Sequence, residues 1–162
     1  MVDVERMGPT EWERVRQVRL AALADAPEAF GTLLADELER SPESWRARLE
    51  AEDTATFLAR EGDKDVGIVT GAPFSDHPSC AGLFAMWVEP AARGRGVGDR
   101  LVDAVGGWAR VRGYQQLILH VADENQPAIA LYNRHGFEPT GRRGSLPAPR
   151  EHVLEHELVL RL

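Results

Sequence analysis

A hexapeptide with three alternating glycines most constrains the fold, because it separates an apolar run from a helical pattern. The hexapeptide is Arg93-Gly94-Arg95-Gly96-Val97-Gly98, and the run before it, 81–88, predicts a buried strand. After it, apolar residues recur at helical spacing, at Val97, Leu101, Val105 and Trp108. Alternating glycines let a backbone turn tightly and approach a ligand closely. A strand, such a turn and a helix start together predict an anion-binding site.

The rest of the chain predicts an α/β or α+β sheet with helices on its faces. A strand is expected at 2–5, followed by a helix that begins with a capping box at Thr10 and Glu13 and ends before Pro27. Ser41-Pro42-Glu43 predicts a second helix start. Later elements are strands 55–60, 66–72 and 116–122, a helix 127–134, a brief strand 137–140, a loop 141–150 and a last strand 152–160. We expect one domain, 1–162, with about seven strands and about four helices.

Composition excludes several classes of protein. The 162 residues carry a formal net charge of -7, which argues against nucleic-acid binding because phosphate contacts need a basic surface. A single cysteine, Cys80, excludes an internal disulfide, and no apolar run has the ~18 residues of a membrane span. His152 and His156 are too far apart on an extended strand to share a metal ion. We expect a cytoplasmic protein with no metal, nucleic-acid or membrane partner.

The region of the glycine-rich turn is basic. Between positions 93 and 112 five arginines stand against two acids, which suggests a phosphate-bearing ligand. A dinucleotide fingerprint fails because Asp99 or Leu101 stands where its third glycine belongs. A nucleotide P-loop fails because the chain has one lysine, Lys64, far from the turn. A helix start without any ligand remains the alternative.

The turn and its flanks resemble the GNAT superfamily of N-acetyltransferases. Arg93-x-x-Gly96-x-Gly98 is similar to the family's pyrophosphate-binding signature, and Met86-Trp87-Val88-Glu89-Pro90 resembles the strand that leads into it. A second block on the cofactor side of the family is also matched, by Leu119-His120-Val121, Asn125, Ala128 and Leu131-Tyr132-x-x-x-Gly136-Phe137. The resemblance covers about 81–140. It implies a mixed sheet whose central strands splay apart and acetyl-CoA as the cosubstrate.

The resemblance also implies roles for particular residues. Backbone amides from Arg93, Gly94, Arg95, Gly96, Val97 and Gly98 would hold the pyrophosphate. The backbone at Met86, Trp87 and Val88 would pair with the pantetheine arm. Asn125 would contact that arm, although a plain helix cap before Pro127 explains it equally well. Tyr132 would stand beside the thioester sulfur, whereas by pattern alone it is a half-buried aromatic.

Transfer of an acetyl group to an amine needs a base, and His120 is the candidate. Leu117, Leu119 and Val121 share one face of the strand, which leaves His120 on the other. Some family members carry a glutamate base here, and a histidine also suits neutral pH because its pKa is ordinarily ~6.5. A histidine that only hydrogen-bonds within the sheet is the alternative. Tyr132 is expected to stabilise the thiolate by a hydrogen bond, because a phenol is a weaker acid than a thiol.

The sequence says least about the identity of the acceptor. Phe30 and Gly31 are expected to form a lip over it, with core packing of Phe30 as the alternative. Scattered acids would attract a cationic amine; they are Glu28, Asp36, Glu37, Asp76 and Glu89. Three arginines would instead favour an acidic substrate or the cofactor's extra phosphate; they are Arg142, Arg143 and Arg150.

The sequence therefore predicts an acetyl-CoA-dependent N-acetyltransferase. It would acetylate a primary amine of a small molecule or peptide by direct attack in a ternary complex. A non-catalytic acyl-CoA sensor on the same scaffold is the alternative, and a phosphate-binding module that uses only the glycine turn is a third reading. The resemblance also allows a homodimer formed through the last strand.

Overall fold

A seven-stranded mixed sheet organises the chain, in a computed structural model that describes residues 2–74 and 77–162. The strand order is β1-β2-β3-β4-β5-β7-β6, and every neighbouring pair is antiparallel except β4 and β5. The strands are β1 Val2–Arg6, β2 Ala55–Glu61, β3 Lys64–Pro73, β4 Cys80–Val88, β5 Gln116–Ala122, β6 Glu138–Ser145 and β7 Leu154–Arg161. The expected α/β architecture is confirmed.

Five α-helices cover the two faces of the sheet. They are α1 Trp12–Asp25, α2 Leu34–Leu38, α3 Pro42–Glu50, α4 Val97–Val111 and α5 Gln126–Arg134. The apolar face of α4 packs with α5 in one core cluster, and α1 and α3 pack in another around Trp45 and Trp87. Among the described residues no helix is long and apolar enough to cross a membrane.

Three local expectations need correction. Thr10 is not a helix cap, because Pro9 starts a 3-10 turn that delays α1 to Trp12, and no side chain caps that helix. The short α2 lies between the first two expected helices, where the sequence predicted no element. The loop expected at 141–150 begins as strand, because β7 supplies partners for Arg143 to Ser145 beyond an irregularity around Gly141.

The central strands separate where the resemblance implied. β4 and β5 are paired only from Cys80–Gln116 to Gly82–Ile118 within the described residues. Past that point both strands continue, β4 to Val88 and β5 to Ala122, and β4 carries an irregularity at Ala85, whose φ is +58°. The two strands therefore diverge toward the N-terminal end of α4, which begins at Val97.

Candidate active site

The glycine-rich turn presents a row of free backbone amides at the start of α4. Gly94 and Gly96 have φ values of +78° and +82°, a region that side chains with a Cβ disfavour. Among the described residues, no acceptor pairs with the amides of Gly94 to Gly98. A methyl group at Gly94 or Gly96 would meet no protein atom within 4 Å. The turn is therefore open to solvent and suited to an anion.

The arginine side chains of the turn are engaged by the protein itself. Arg93 donates from Nε to the carbonyl oxygen of Val88 at 2.9 Å and pairs with Asp25 at 3.1 Å. Arg95 pairs with Glu61 at 2.8 Å. These acids come from distant parts of the chain, so the positive surplus counted along the sequence overstates the local charge. Any anion held here is held mainly by the backbone.

The register of β4 decides which of its backbone groups face the gap. The amide of Glu89 donates to Val66 of β3 at 2.8 Å, and Trp87 lies opposite Ile68. Since backbone groups alternate along a strand, those of Trp87 point to β3, and those of Met86 and Val88 point to the opening. The Trp87 side chain is in the core and donates to Asp25 at 3.0 Å. Trp87 thus supports the site without facing the gap.

A cavity of about 380 Å³ lies where β4 and β5 diverge. It brings together six residues that the sequence singled out separately: Phe30, Gly31, Met86, His120, Asn125 and Tyr132. Asn125 caps α5, because its Oδ1 accepts from the amide of Ala128 at 3.3 Å, and its amide NH2 group remains available. Both roles considered for Asn125 are therefore compatible with its position.

Tyr132 is buried in the wall of this cavity, with its ring against Phe137 at 5.6 Å between centroids. Its phenol has no hydrogen-bond partner among the described residues. Burial raises the pKa of Tyr132 well above its ordinary value of 10.0. The phenol therefore stays protonated and can donate a hydrogen bond, but it is a poor source of a proton.

His120 is half-exposed and is held by a carboxylate from β7. Its Nε2 lies 3.0 Å from Oε2 of Glu157, and Thr140 donates to the other oxygen of Glu157 at 3.0 Å. An ionised carboxylate only accepts hydrogen bonds, so Nε2 carries the proton and Nδ1 keeps the lone pair of the neutral ring. The histidine is thus oriented as a base would be.

The geometry of this site agrees with a match to a known protein family. The sequence model of the acetyltransferase (GNAT) family matches residues 16–137, more than half of the chain. The chain belongs to the acetyltransferase (GNAT) family. Acetyl transfer from acetyl-CoA is general in this family, whose acceptors are amines of peptides and small molecules.

Curated GNAT relatives share about a third of the aligned residues. The mycothiol acetyltransferase of Rhodococcus erythropolis is 30% identical over 138 residues, which cover 81% of this chain and 44% of that protein. N-acetyltransferase 8F1 of Rattus norvegicus is 37% identical over 90 residues, which cover 54% of this chain and 41% of that protein. The chain thus spans less than half the length of these relatives.

Solved GNAT structures share the fold over nearly the whole chain. A GNAT acetyltransferase from Streptococcus pneumoniae has a TM-score of 0.79 at 20% identity and covers 100% of this chain and 99% of its own. The structure of yncA from Salmonella typhimurium, with its cofactor acetyl-CoA, has a TM-score of 0.79 at 16% identity and covers 100% and 94%. The ribosomal-protein-alanine N-acetyltransferase of Brucella melitensis has a TM-score of 0.78 at 22% identity and covers 99% of each chain.

On the acceptor side of this GNAT domain, Arg150 is structural. It is buried and donates to the carbonyl oxygens of Pro27, Phe30 and Gly31, the last at 3.0 Å. It therefore fixes the segment expected to cover the acceptor, and it is not free to bind a ligand. Phe30 is both buried in the core and part of the cavity wall, so its two readings coexist. Arg143 pairs with Asp123.

Glu37, expected among the surface acids, is fully buried with 0% exposure. Burial alone would raise its pKa, but hydrogen bonds and charge from Arg48, with charges from Arg19 and Arg40, outweigh burial and lower the pKa. Asp76, another of those acids, lies outside the described residues. Within the described part of the chain, no cluster of three acidic, histidine or cysteine side chains could hold a metal ion.

Two functional candidates escaped sequence reasoning, and both lie on β7. Glu157 holds His120, and Glu155 lines the cavity beside it. Burial raises the pKa of Glu155, opposed by the charge of His120 and assisted by Asp123. Alternation along the last strand indicates that the two share a face, but only the pairing of β7 with β5 shows that this face meets His120.

Proposed function

We propose that this chain is an acetyl-CoA-dependent N-acetyltransferase that transfers the acetyl group directly to a primary amine in a ternary complex. One arrangement carries the proposal. The free amides of Gly94 to Gly98 stand at the end of the gap between β4 and β5, and that gap opens into the cavity that holds Tyr132 and His120.

The cosubstrate is proposed to follow this gap. The turn amides and the positive end of the α4 dipole bind the diphosphate. The backbone groups of Met86 and the amide of Val88, whose carbonyl oxygen already accepts from Arg93, pair with the pantetheine arm as a third strand would. The NH2 group of Asn125 donates to the same arm from the opposite side. Acetyl-CoA supplies an activated thioester, and this chain supplies its position.

His120 is proposed as the base that takes a proton from the attacking amine. Amines of the lysine type are protonated at neutral pH, with pKa ~10.4, so the nucleophile must be deprotonated in the site or through water. The Glu157 hydrogen bond fixes the proton on Nε2 and leaves Nδ1 free to accept. Glu157 thus acts as a positioning residue. A water chain that ends at His120 is compatible with the same geometry.

Tyr132 is proposed to donate a hydrogen bond to the sulfur as negative charge develops on it. Burial raises the pKa of Tyr132 above its ordinary value and so favours the neutral phenol. A fixed donor in a water-poor site stabilises developing charge without reorganisation. The thiolate then leaves as an anion and takes its proton from solvent.

The acceptor is proposed to enter beneath the lip formed by Phe30 and Gly31. The relatives' names mention different molecules, mycothiol in one and a ribosomal-protein alanine in another. They agree on acetyl transfer and do not select one acceptor for this chain. A primary amine is the acceptor class that the proposed base serves.

The first experiment tests the cosubstrate site with two glycines that flank α4. Gly96→Ala should weaken acetyl-CoA binding about tenfold or more in calorimetric titration, because a methyl group would occupy space that only a ligand fills. Gly113→Ala is the matched control: φ is +84°, its Cβ meets nothing within 4 Å, and it lies at the other end of α4. Each change should cost about 1 kcal/mol of stability. Equal acetyl-CoA affinity in the two variants would refute the site.

The second experiment tests the base by the pH dependence of thiol release with a panel of amines. In the parent protein, kcat/KM should fall on an acidic limb and level off at higher pH while the amine is still mostly protonated, because a base in the site removes its proton. His120→Gln should lower the rate and abolish this plateau, so that kcat/KM rises with the concentration of free amine. Glu157→Gln should shift the limb and leave acetyl-CoA affinity unchanged. A plateau that persists in His120→Gln while the amine is still mostly protonated would assign the base elsewhere.

A further inference from the structure

A second cavity of about 370 Å³ lies beside the acceptor cavity. It is placed between the helices α1 and α3 and the strands β2 and β3. We call it the side cavity, and Arg19, Phe84 and Ala85 belong to the walls of both cavities. The two cavities are therefore adjacent, with Phe84 at their boundary.

The walls of the side cavity combine apolar surface with cationic donors. Apolar contacts come from Val15, Trp45, Leu49 and Ile68, and polar groups come from Arg19, Arg48 and three threonines; none of its lining residues is acidic. Phe84 is 41% exposed at the boundary, and its ring stacks at 6.5 Å on Phe74. An exposed aromatic ring between two cavities favours a ligand with an apolar body.

The charges behind the side cavity are unbalanced. Three guanidinium groups share the single buried carboxylate of Glu37, at 3.0 Å for Arg48, 3.5 Å for Arg40 and 3.9 Å for Arg19. Two positive charges are therefore in surplus. Nε of Arg19 and Nε1 of the fully buried Trp45 have no hydrogen-bond partner among the described residues. These two atoms are closed off from the cavity, so its attraction for an anion comes from the surplus charge of the guanidinium groups of Arg19 and Arg48, both of which line it.

From this we infer that the side cavity binds the far, anionic end of the acceptor. The acceptor class is then a small primary amine with an apolar body and a terminal carboxylate. The inference rests on the proposed function for the position of the amine. It assigns to Arg19 and Arg48 a role in acceptor specificity, and to Phe84 the contact with the apolar body.

The test uses two dipeptide probes that differ by one charge, alanyl-phenylalanine and its C-terminal amide. Each is titrated into the full chain by calorimetry, so the result does not depend on turnover. The free acid should bind about tenfold more tightly than the amide, as expected for a charge-assisted hydrogen bond. Arg48→Gln should bring the acid-to-amide ratio close to one.

Arg40→Gln is the matched control, because Arg40 shares Glu37 but lines neither cavity. This variant should keep most of the preference for the acid. Equal binding of acid and amide, binding of neither, or the same loss of preference in both variants would overturn the inference. The proposed function would fail separately, through absence of acetyl-CoA-dependent thiol release with every amine tested.

Discussion

The glycine-rich turn and the acceptor side are built in opposite ways. The turn works through its own backbone: two left-handed glycines and a helix start leave consecutive amides free over a few residues. The acceptor side depends on long-range contacts, since Arg150 holds the segment 27–31 from more than 100 positions away, and Glu37 pairs with arginines from α1, α3 and the linker before α3. Function at the turn is therefore local, whereas function at the acceptor side is tertiary.

In both regions the charge of a side chain, taken alone, indicates the wrong ligand contact. At the turn the arginines suggest phosphate contacts, yet Arg93 and Arg95 bind Asp25 and Glu61. On the acceptor side Glu37 suggests attraction of a cation, yet it is buried and the surplus charge around it is positive. A charged residue acts on a ligand only after its partners within the protein are counted.

The largest expected effect is a loss of folding stability that arises on the acceptor side alone. Glu37→Gln should lower the free energy of unfolding by about 3 to 5 kcal/mol, because it leaves buried arginines without their anion. Since the pKa of Glu37 is lowered from 4.5, its stabilisation is present above that pH and is lost as the pH falls through the lowered value.

The measurement for Glu37 is denaturant unfolding at neutral and acid pH. The difference between parent and variant should shrink as the pH drops. Asp36→Asn is the control, because its side chain is exposed beside Glu37. A variant as stable as the parent at neutral pH would contradict the tertiary description of this side.

A smaller effect should appear where the two regions meet. Tyr132→Phe should slow the chemical step about a hundredfold, as loss of a donor to developing charge does, with little change in acetyl-CoA affinity. Single-turnover thiol release measures the step. Tyr114→Phe is the matched control, because this second tyrosine packs on Trp108 outside the cavity. Unchanged single-turnover rates in Tyr132→Phe would remove Tyr132 from the mechanism.

The smallest effect should show whether the acceptor side and the glycine-rich turn act independently. Arg150→Gln leaves carbonyls of the segment 27–31 without their donor and should cost about 2 kcal/mol. KM for the acceptor should rise while acetyl-CoA affinity stays the same. Arg142→Gln, at an exposed position, is the control. A parallel loss of acetyl-CoA affinity in Arg150→Gln would show that the regions are not independent.

Much of the fold followed from local pattern. The strand 116–122 and the start of α4 at Val97 were predicted at the positions observed, because alternation and helix-start chemistry are properties of neighbouring residues. The errors lie where distant pairing overrides local preference. β6 continues through Gly141 and Arg143 only because β7 lies beside it.

The sequence by itself determined the order of elements and the glycine turn, since each depends on spacing along the chain, and the resemblance to the GNAT family added Tyr132 and His120 as candidates. Only the tertiary structure decided that Glu157 contacts His120, that Arg150 fixes the segment 27–31, and that Arg19 lines two cavities. Such pairings join residues far apart in the chain, and their energy depends on burial and on partners that no local pattern contains.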